Sequence, residues 1–402
     1  MKRHIHRFIL STIIVYLTGG TLNSAVADLN VGEPRTVRMI YFLPNDRPHR
    51  AEVVQRMKDT ILKVQTFYAE QMQAHGYGEV TFRVETNDQG EPKVHSVVGQ
   101  FPDSHYLTST SFARDEIEKL FDYSANIYLI VIDNSTDRVN RANRGAGEWL
   151  GKQGGIAWVA REFDWSLAAH ELGHAFGLSH DFRDGAYLMS YGSGASPEQA
   201  WSQLSACHAE RLWVHPYFNP NISTRWEQSP TIELISPNTY PVGLESVDIQ
   251  LKVSDLDGLY QIILFATTIN DFSPGRGLPE VKACRSLGGE REAVIEFEYD
   301  GDIPSSVFSD LYSPVKHSMH IEAADVDGNV NAISFSLSAI STEPPAPTPK
   351  ILVKLSGDNQ TGTPGAALPH PLIVEVRDKQ SKNLLPGVQV RFTITSGKGK
   401  LW

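Results

Sequence analysis

Apolar positions change rhythm several times along the chain, and each change predicts an element. Residues 36–43 alternate and are β-branched or aromatic, which predicts a strand. Residues 52–75 then carry Val53, Val54, Met57, Ile61, Val64, Phe67 and Met72 at helical spacing, and Gly76 and Gly78 close the pattern. Strands are expected over 80–86 and 93–98, and a helix over 111–121. Residues 125–132 form a nearly continuous apolar run, the mark of a strand covered on both faces. The order strand, helix, strand, strand, helix, strand predicts a mixed sheet backed by helices. Residues 154–159 read as one more strand, 165–176 and 197–213 as helices, and the Gly-, Arg- and Asn-rich stretch 140–152 as a mobile flap.

The texture changes after Gln228-Ser229-Pro230. Short alternating runs at 247–253, 260–266, 293–299, 317–323 and 332–337 lie between Gly, Pro, Asp and Asn turns, as in a β-sandwich. Residues 343–349 form a proline-rich spacer, and 350–402 again hold strand-like runs at 351–355, 372–377 and 388–395. The expected fold is therefore α+β: a mixed-sheet domain over 28–225, a β-sandwich over 229–342, the linker, and part of a further β domain.

Composition refines this picture without changing it. The 402 residues are 41% hydrophobic and 21% charged, ordinary globular material long enough for two or three domains. Residues 1–27 differ: a basic start, an apolar run over 8–17, and Ala25-Val26-Ala27 before Asp28 predict a secretory signal. Ten apolar residues are too few for a transmembrane anchor. Loss of Lys2, Arg3 and Arg7 would take the net charge from -11 to -14, which argues against nucleic acid or anionic membrane as partner. Cys207 and Cys284 fall in separate predicted domains, so each is expected to act as a small buried apolar residue, with a disulfide between them as the alternative.

The chemistry concentrates at His170-Glu171-Leu172-Gly173-His174-Ala175-Phe176-Gly177-Leu178-Ser179-His180-Asp181. On a helix His170 and His174 are one turn apart on one face, with Glu171 beside them. A straight helix would carry His180 roughly 15 Å further along the axis. Gly177 supplies the turn that brings it back. Three imidazoles with a fourth position open are the ligand set of a catalytic zinc. With 31 Gly and 14 His in the chain, the added Gly and His arise together by chance roughly once in 370. Two satisfied surface histidines are the bland alternative. Ala168, Leu172, Ala175 and Phe176 give the helix its buried stripe, and Asp164 or Ser166 its cap. His208 and His215 have no partner at ligand spacing and read as structural or exposed.

These residues resemble the metzincin zinc endopeptidases, whose pattern HExxHxxGxxH is matched at every fixed position. Tyr187-Leu188-Met189-Ser190-Tyr191-Gly192 resembles that family's methionine turn. The resemblance implies Met189 beneath the metal without ligating it, and Tyr191 near the metal or the oxyanion, where astacin and serralysin branches carry a tyrosine. Asp181 is instead similar to the adamalysin branch, so the subfamily stays open. By the same resemblance 154–159 would be an edge strand that binds peptide. Trp158 then reads as core or as a subsite wall, Tyr191 as an oxyanion donor or a packing tyrosine, and Asp181 as a support bonding backbone or a histidine N–H. The β domains resemble bacterial immunoglobulin-like modules, and Gly362–Gly365 with 385–390 resemble repeats of the invasin and intimin type. On that reading the chain ends inside a domain. Asp255-Leu256-Asp257-Gly258 and Asp325-Val326-Asp327-Gly328-Asn329 make calcium conceivable, but each also reads as a plain turn.

The expected function is a secreted zinc metalloendopeptidase: zinc on His170, His174 and His180, Glu171 as general base, and a protein or peptide substrate. The β domains would hold it near a cell-surface or matrix component. A surface adhesin with a silent zinc domain is the alternative.

Overall fold

The structure, a computed structural model, describes residues 35–140, 143–192, 194–223, 227–241, 244, 246–267, 280–299, 317–340 and 350–396. The expected signal segment 1–27 and linker 343–349 lie outside the described residues.

The first part is built on a six-stranded sheet. β1 (Thr36–Leu43) pairs in parallel with β2 (Arg83–Val84), β3 (Val94–Val98) and β4 (Ile127–Ile132). β6 (Gly155–Ala160) runs parallel to β4, and β5 (Gly145–Trp149) lies antiparallel to β6 at the edge. All six residues of β4 and of β6 are buried, as a strand covered on both faces demands. α1 (Ala51–Ala74) buries Val53, Met57, Ile61, Val64, Phe67, Tyr68 and Met72. It packs with α3 (Trp165–Ala175) over one face of the sheet, in a core that also takes Met39, Tyr41, Leu129, Val131, Ala157 and Val159. The other face carries Ile40, Phe42, Tyr128, Ile130 and Trp158 under α2 (Thr110–Ile117). Trp158 is thus core.

Two expectations change. Residues 154–159 are not an edge, because 145–149, expected as a flap, form a further strand outside them. The helix expected over 197–213 is only α4 (Ala206–Trp213): Ser205 caps His208 N, and before it Trp201 sits at φ +58, outside helical space.

The second part has two sheets around one apolar core. The larger runs β11 (Glu280–Ser286), β10 (Leu259–Thr267), β13 (His317–Asp325), β14 (Val330–Ile340) and β8 (Thr239–Pro241). The smaller runs β12 (Glu292–Tyr299), β9 (Val247–Ser254) and β7 (Thr231–Leu234). Beyond them β15 (Lys350–Ser356) and β16 (Ile373–Asp378) pair with each other, while 388–395 form no strand.

The two parts are joined closely. Cys207 of α4 packs with Ile263, Phe265 and Val281, and Cys284 lies against them. The cysteines, both free, thus meet in one apolar cluster instead of sitting apart. Gln261 donates to Cys207 O (2.8 Å) and Glu210 (2.9 Å). No helix among the described residues is long and apolar enough to cross a membrane.

Candidate metal centre

Asp164 caps α3 by accepting the Leu167 amide, and Ser166 donates to the same carboxylate. The helix ends where Gly177 adopts φ +84: Gly177 N bonds His174 O and Leu178 N bonds Gly173 O. These two bonds make a left-handed C-cap that only glycine enters without strain. The chain turns back, and His180 comes beside the helix. Ring centroids of His170, His174 and His180 stand 4.8, 5.4 and 4.6 Å apart, and one ligand atom from each lies within 4.8 Å of the others.

Two of the rings are oriented from behind. Leu188 O accepts from His170 Nδ1 (2.7 Å), and Leu178 O accepts from His174 Nδ1 (2.8 Å). A carbonyl partner fixes the proton on Nδ1 and leaves Nε2 as the free donor atom. Burial lowers the pKa of all three imidazoles, that of His180 to about 4. At neutral pH they are uncharged, the form a metal binds. The donor set therefore fits zinc: neutral imidazole nitrogens converging on an open cleft.

The methionine turn closes the site from below. Gly173 faces Met189 so closely that an added Cβ would stand 2.5 Å from Sδ. Met189 is fully buried, its carbonyl takes the Asp181 amide, and the neighbouring Leu188 carbonyl holds His170. The turn thus fixes His170 on the helix and the loop that carries His180. Tyr191 is 48% exposed, with its ring 5.0 Å from His180 and 4.7 Å from Phe182. Among the described residues Asp181 makes no hydrogen bond to a histidine; its carboxylate accepts the backbone amide of Arg183 (3.3 Å) and is gripped by the Arg183 side chain with Nε at 2.8 Å and Nη2 at 2.6 Å. Burial alone would raise this carboxyl, but the bonds from Arg183 hold it below its ordinary value.

Glu171 points to the other side, under β5. It is buried, and burial pushes its pKa up to about 8. Side chains at 145 and 147 would collide with Glu171 and His174, so β5 crosses the helix only because both positions are glycine. That G-x-G alternation, in a stretch that looked like a flap, was the missed signal. A cleft of about 630 Å³ runs between β5 and the three histidines, with Tyr191 and Trp201 on its far wall.

Residues 45–217 match the model of metallopeptidase family M12, Reprolysin_5. This segment is an M12 metallopeptidase domain. No curated protein matches the chain. In fold it is similar to OgpA from Akkermansia muciniphila. The catalytically inactive form in complex with an O-glycopeptide, glycodrosocin, aligns at 18% identity and TM-score 0.54, over 76% of this chain and 93% of that one. Two structures of wild-type OgpA give 18% and 0.52, with the same share of this chain and 92% and 94% of theirs. The metallopeptidase domain of this chain thus joins its β-rich part within a fold already known for both together. M12 peptidases depend on zinc, and the three histidines of the domain form a set that could hold it.

Proposed function

We propose that the protein is an exported zinc metalloendopeptidase, with zinc on His170, His174 and His180 and Glu171 as general base. The observation that carries this reading is the convergence of three neutral imidazoles beside a buried carboxyl and an open strand edge. Zinc bound there supplies a Lewis acid that polarises the scissile carbonyl and makes water acidic enough to attack near neutral pH. Glu171 takes the proton from that water on its carboxylate and returns it to the leaving amine. Burial raises this carboxyl, and the charge of a bound zinc would favour the carboxylate form that accepts the proton.

An extended substrate lies along β5, whose outer N–H and C=O groups have no neighbouring strand among the described residues. Main-chain bonds there bind peptide irrespective of its side chains. Tyr191 stands beside His180 at the cleft and donates to the oxyanion. Residues 1–27 direct export, and the two-sheet part acts as an immunoglobulin-like module that holds the enzyme near a surface or matrix. Because OgpA was crystallised with an O-glycopeptide, plain and O-glycosylated peptides both belong in the assay.

The test is zinc content and peptide cleavage by the full chain, before and after chelation and zinc return. Cleavage that follows the metal is expected. Glu171→Gln should retain zinc and lose at least about two orders of magnitude in rate. An unchanged rate would remove Glu171 from the chemistry.

A further inference from the structure

The chain holds two cysteines, 77 positions apart and on either side of the boundary between its two parts. The fold brings them to one place. α4 lays Cys207 and Glu210, three residues apart on one helical face, against β10 and β11. Gln261 of β10 marks the contact: its side-chain amide donates to Cys207 O (2.8 Å) and Glu210 (2.9 Å) and stands 3.9 Å from Cys207 Sγ. Ile263 and Phe265 follow at alternate positions and line the same face, while Ile262, Leu264 and Ala266 point into the two-sheet core. Ile263 is paired with Cys284 across the ladder, and paired residues project from the same side of a sheet. The register shifts between Leu264 and Phe265, a bulge that brings Val281 onto the face Cys284 occupies. Cys207 is buried, Cys284 only partly so, and each thiol is the hydrogen-bond partner of the other.

The two thiols are unequal. Burial raises that of Cys207 well above its ordinary value. That of Cys284 is lowered, first by the hydrogen bond from Cys207, with the Arg183 charge adding to it against burial and the charges of Glu210 and Asp181. The thiolate is the attacking form. Cys284 is therefore the sulfur that reacts first with an outside reagent, and Cys207 stands behind it.

We propose that Cys207 and Cys284 are a redox pair that closes into a disulfide joining the metallopeptidase domain to the β-rich part. The oxidant is an external disulfide. Cys284 Sγ attacks one of its sulfurs and expels the other as a thiolate, leaving a mixed disulfide on Cys284. Cys207 Sγ gives up its proton, attacks Cys284 Sγ and expels the second thiolate. The chain loses two electrons and two protons, and the external disulfide takes them up as two thiols. β11 is paired on one side only among the described residues, so it can yield as the sulfurs close to about 2.05 Å. The bond fastens the support of the third imidazole: Val281 N, three residues before Cys284, donates to His180 O (2.9 Å). The pair is separate from the histidine centre, and its closure does not depend on how that centre works.

The experiment exposes the zinc-loaded full chain, purified in reductant and then freed of it, to oxidised glutathione, and counts thiols in denaturant before and after. Two thiols should fall to none. The intact mass should drop by two hydrogens, and a non-reducing digest should yield a peptide linking Cys207 to Cys284. The unfolding midpoint should rise by at least about 5 °C, because the bond closes a long loop. Dithiothreitol should reverse both changes. Cys207→Ala should stop at one glutathione on Cys284, and Cys284→Ser should leave the Cys207 thiol unmodified. Two thiols remaining after oxidation, two glutathione adducts, or a dimer linked between chains overturns the proposal, and this count on the unaltered chain decides even if Cys207→Ala fails to fold.

Discussion

Gly173 sits inside a helix, where alanine would ordinarily be favoured by about 1 kcal/mol. Here the added methyl would meet Met189 Sδ at 2.5 Å and Tyr68 Oη at 3.2 Å in a fully buried layer. Overpacking costs typically about 1–3 kcal/mol, so packing wins over propensity. Gly173→Ala is expected to lower the unfolding midpoint and to loosen zinc, read by calorimetry and metal analysis. Tyr191→Phe removes one hydroxyl at the cleft mouth and should lower kcat roughly 100-fold with little change in KM. Unaltered turnover would reduce Tyr191 to packing on Phe182. The histidine spacing and the Gly177 bend were legible because they depend on neighbours within ten residues. Arg183 as the partner of Asp181 depends on which way a loop side chain turns, which spacing does not encode.

Among the elements, long or fully buried ones were readable, and so were edge strands with regular apolar spacing such as β3, β12, β15 and β16, whereas the glycine-rich β5 was not. β1 and α1 fell within a residue of expectation, and β4 was expected two residues too early, because continuous burial prints its period on the sequence. β5 carries Gly-Ala-Gly-Glu-Trp, which has no strand propensity to read. It exists because its glycines let the backbone lie on α3. The prediction at this scale is that Gly147→Ala lifts the strand from Glu171 O and His174 Cβ. A displacement of about 1 Å in a substrate-positioning strand costs roughly 100-fold in kcat/KM, to be measured with circular dichroism showing the fold intact. β7, β8 and β11 were likewise missed, the first two for their shortness and β11 because it is mostly half-buried.

At the scale of the whole molecule, the junction carries histidines that resist protonation. Burial lowers His208 to about 4 and His215 to about 3, the latter helped by Arg211. Unfolded, each would titrate near 6.5. Above that pH both states are neutral and the fold keeps its full stability. As pH falls from about 6.5 toward 4 the unfolded chain takes protons that the folded chain refuses, so stability declines. The unfolding midpoint of the metal-free protein should drop over this interval, and less steeply in His215→Phe. Equal slopes would exclude His215 as a source. A chain ended after residue 228 should also bind zinc more weakly than the full chain, since it loses the cover over Cys207 and the bond from Val281 N to His180 O (2.9 Å).

That last bond couples mechanics to chemistry. The loop bearing the third imidazole is stitched, by a bridge between His180 and Glu280, to the first residue of β11. A pull that levers the β-rich part away from its neighbour is passed through this bridge to the loop bearing His180. Load on the junction would therefore show up as a change in turnover, through the segment that carries His180.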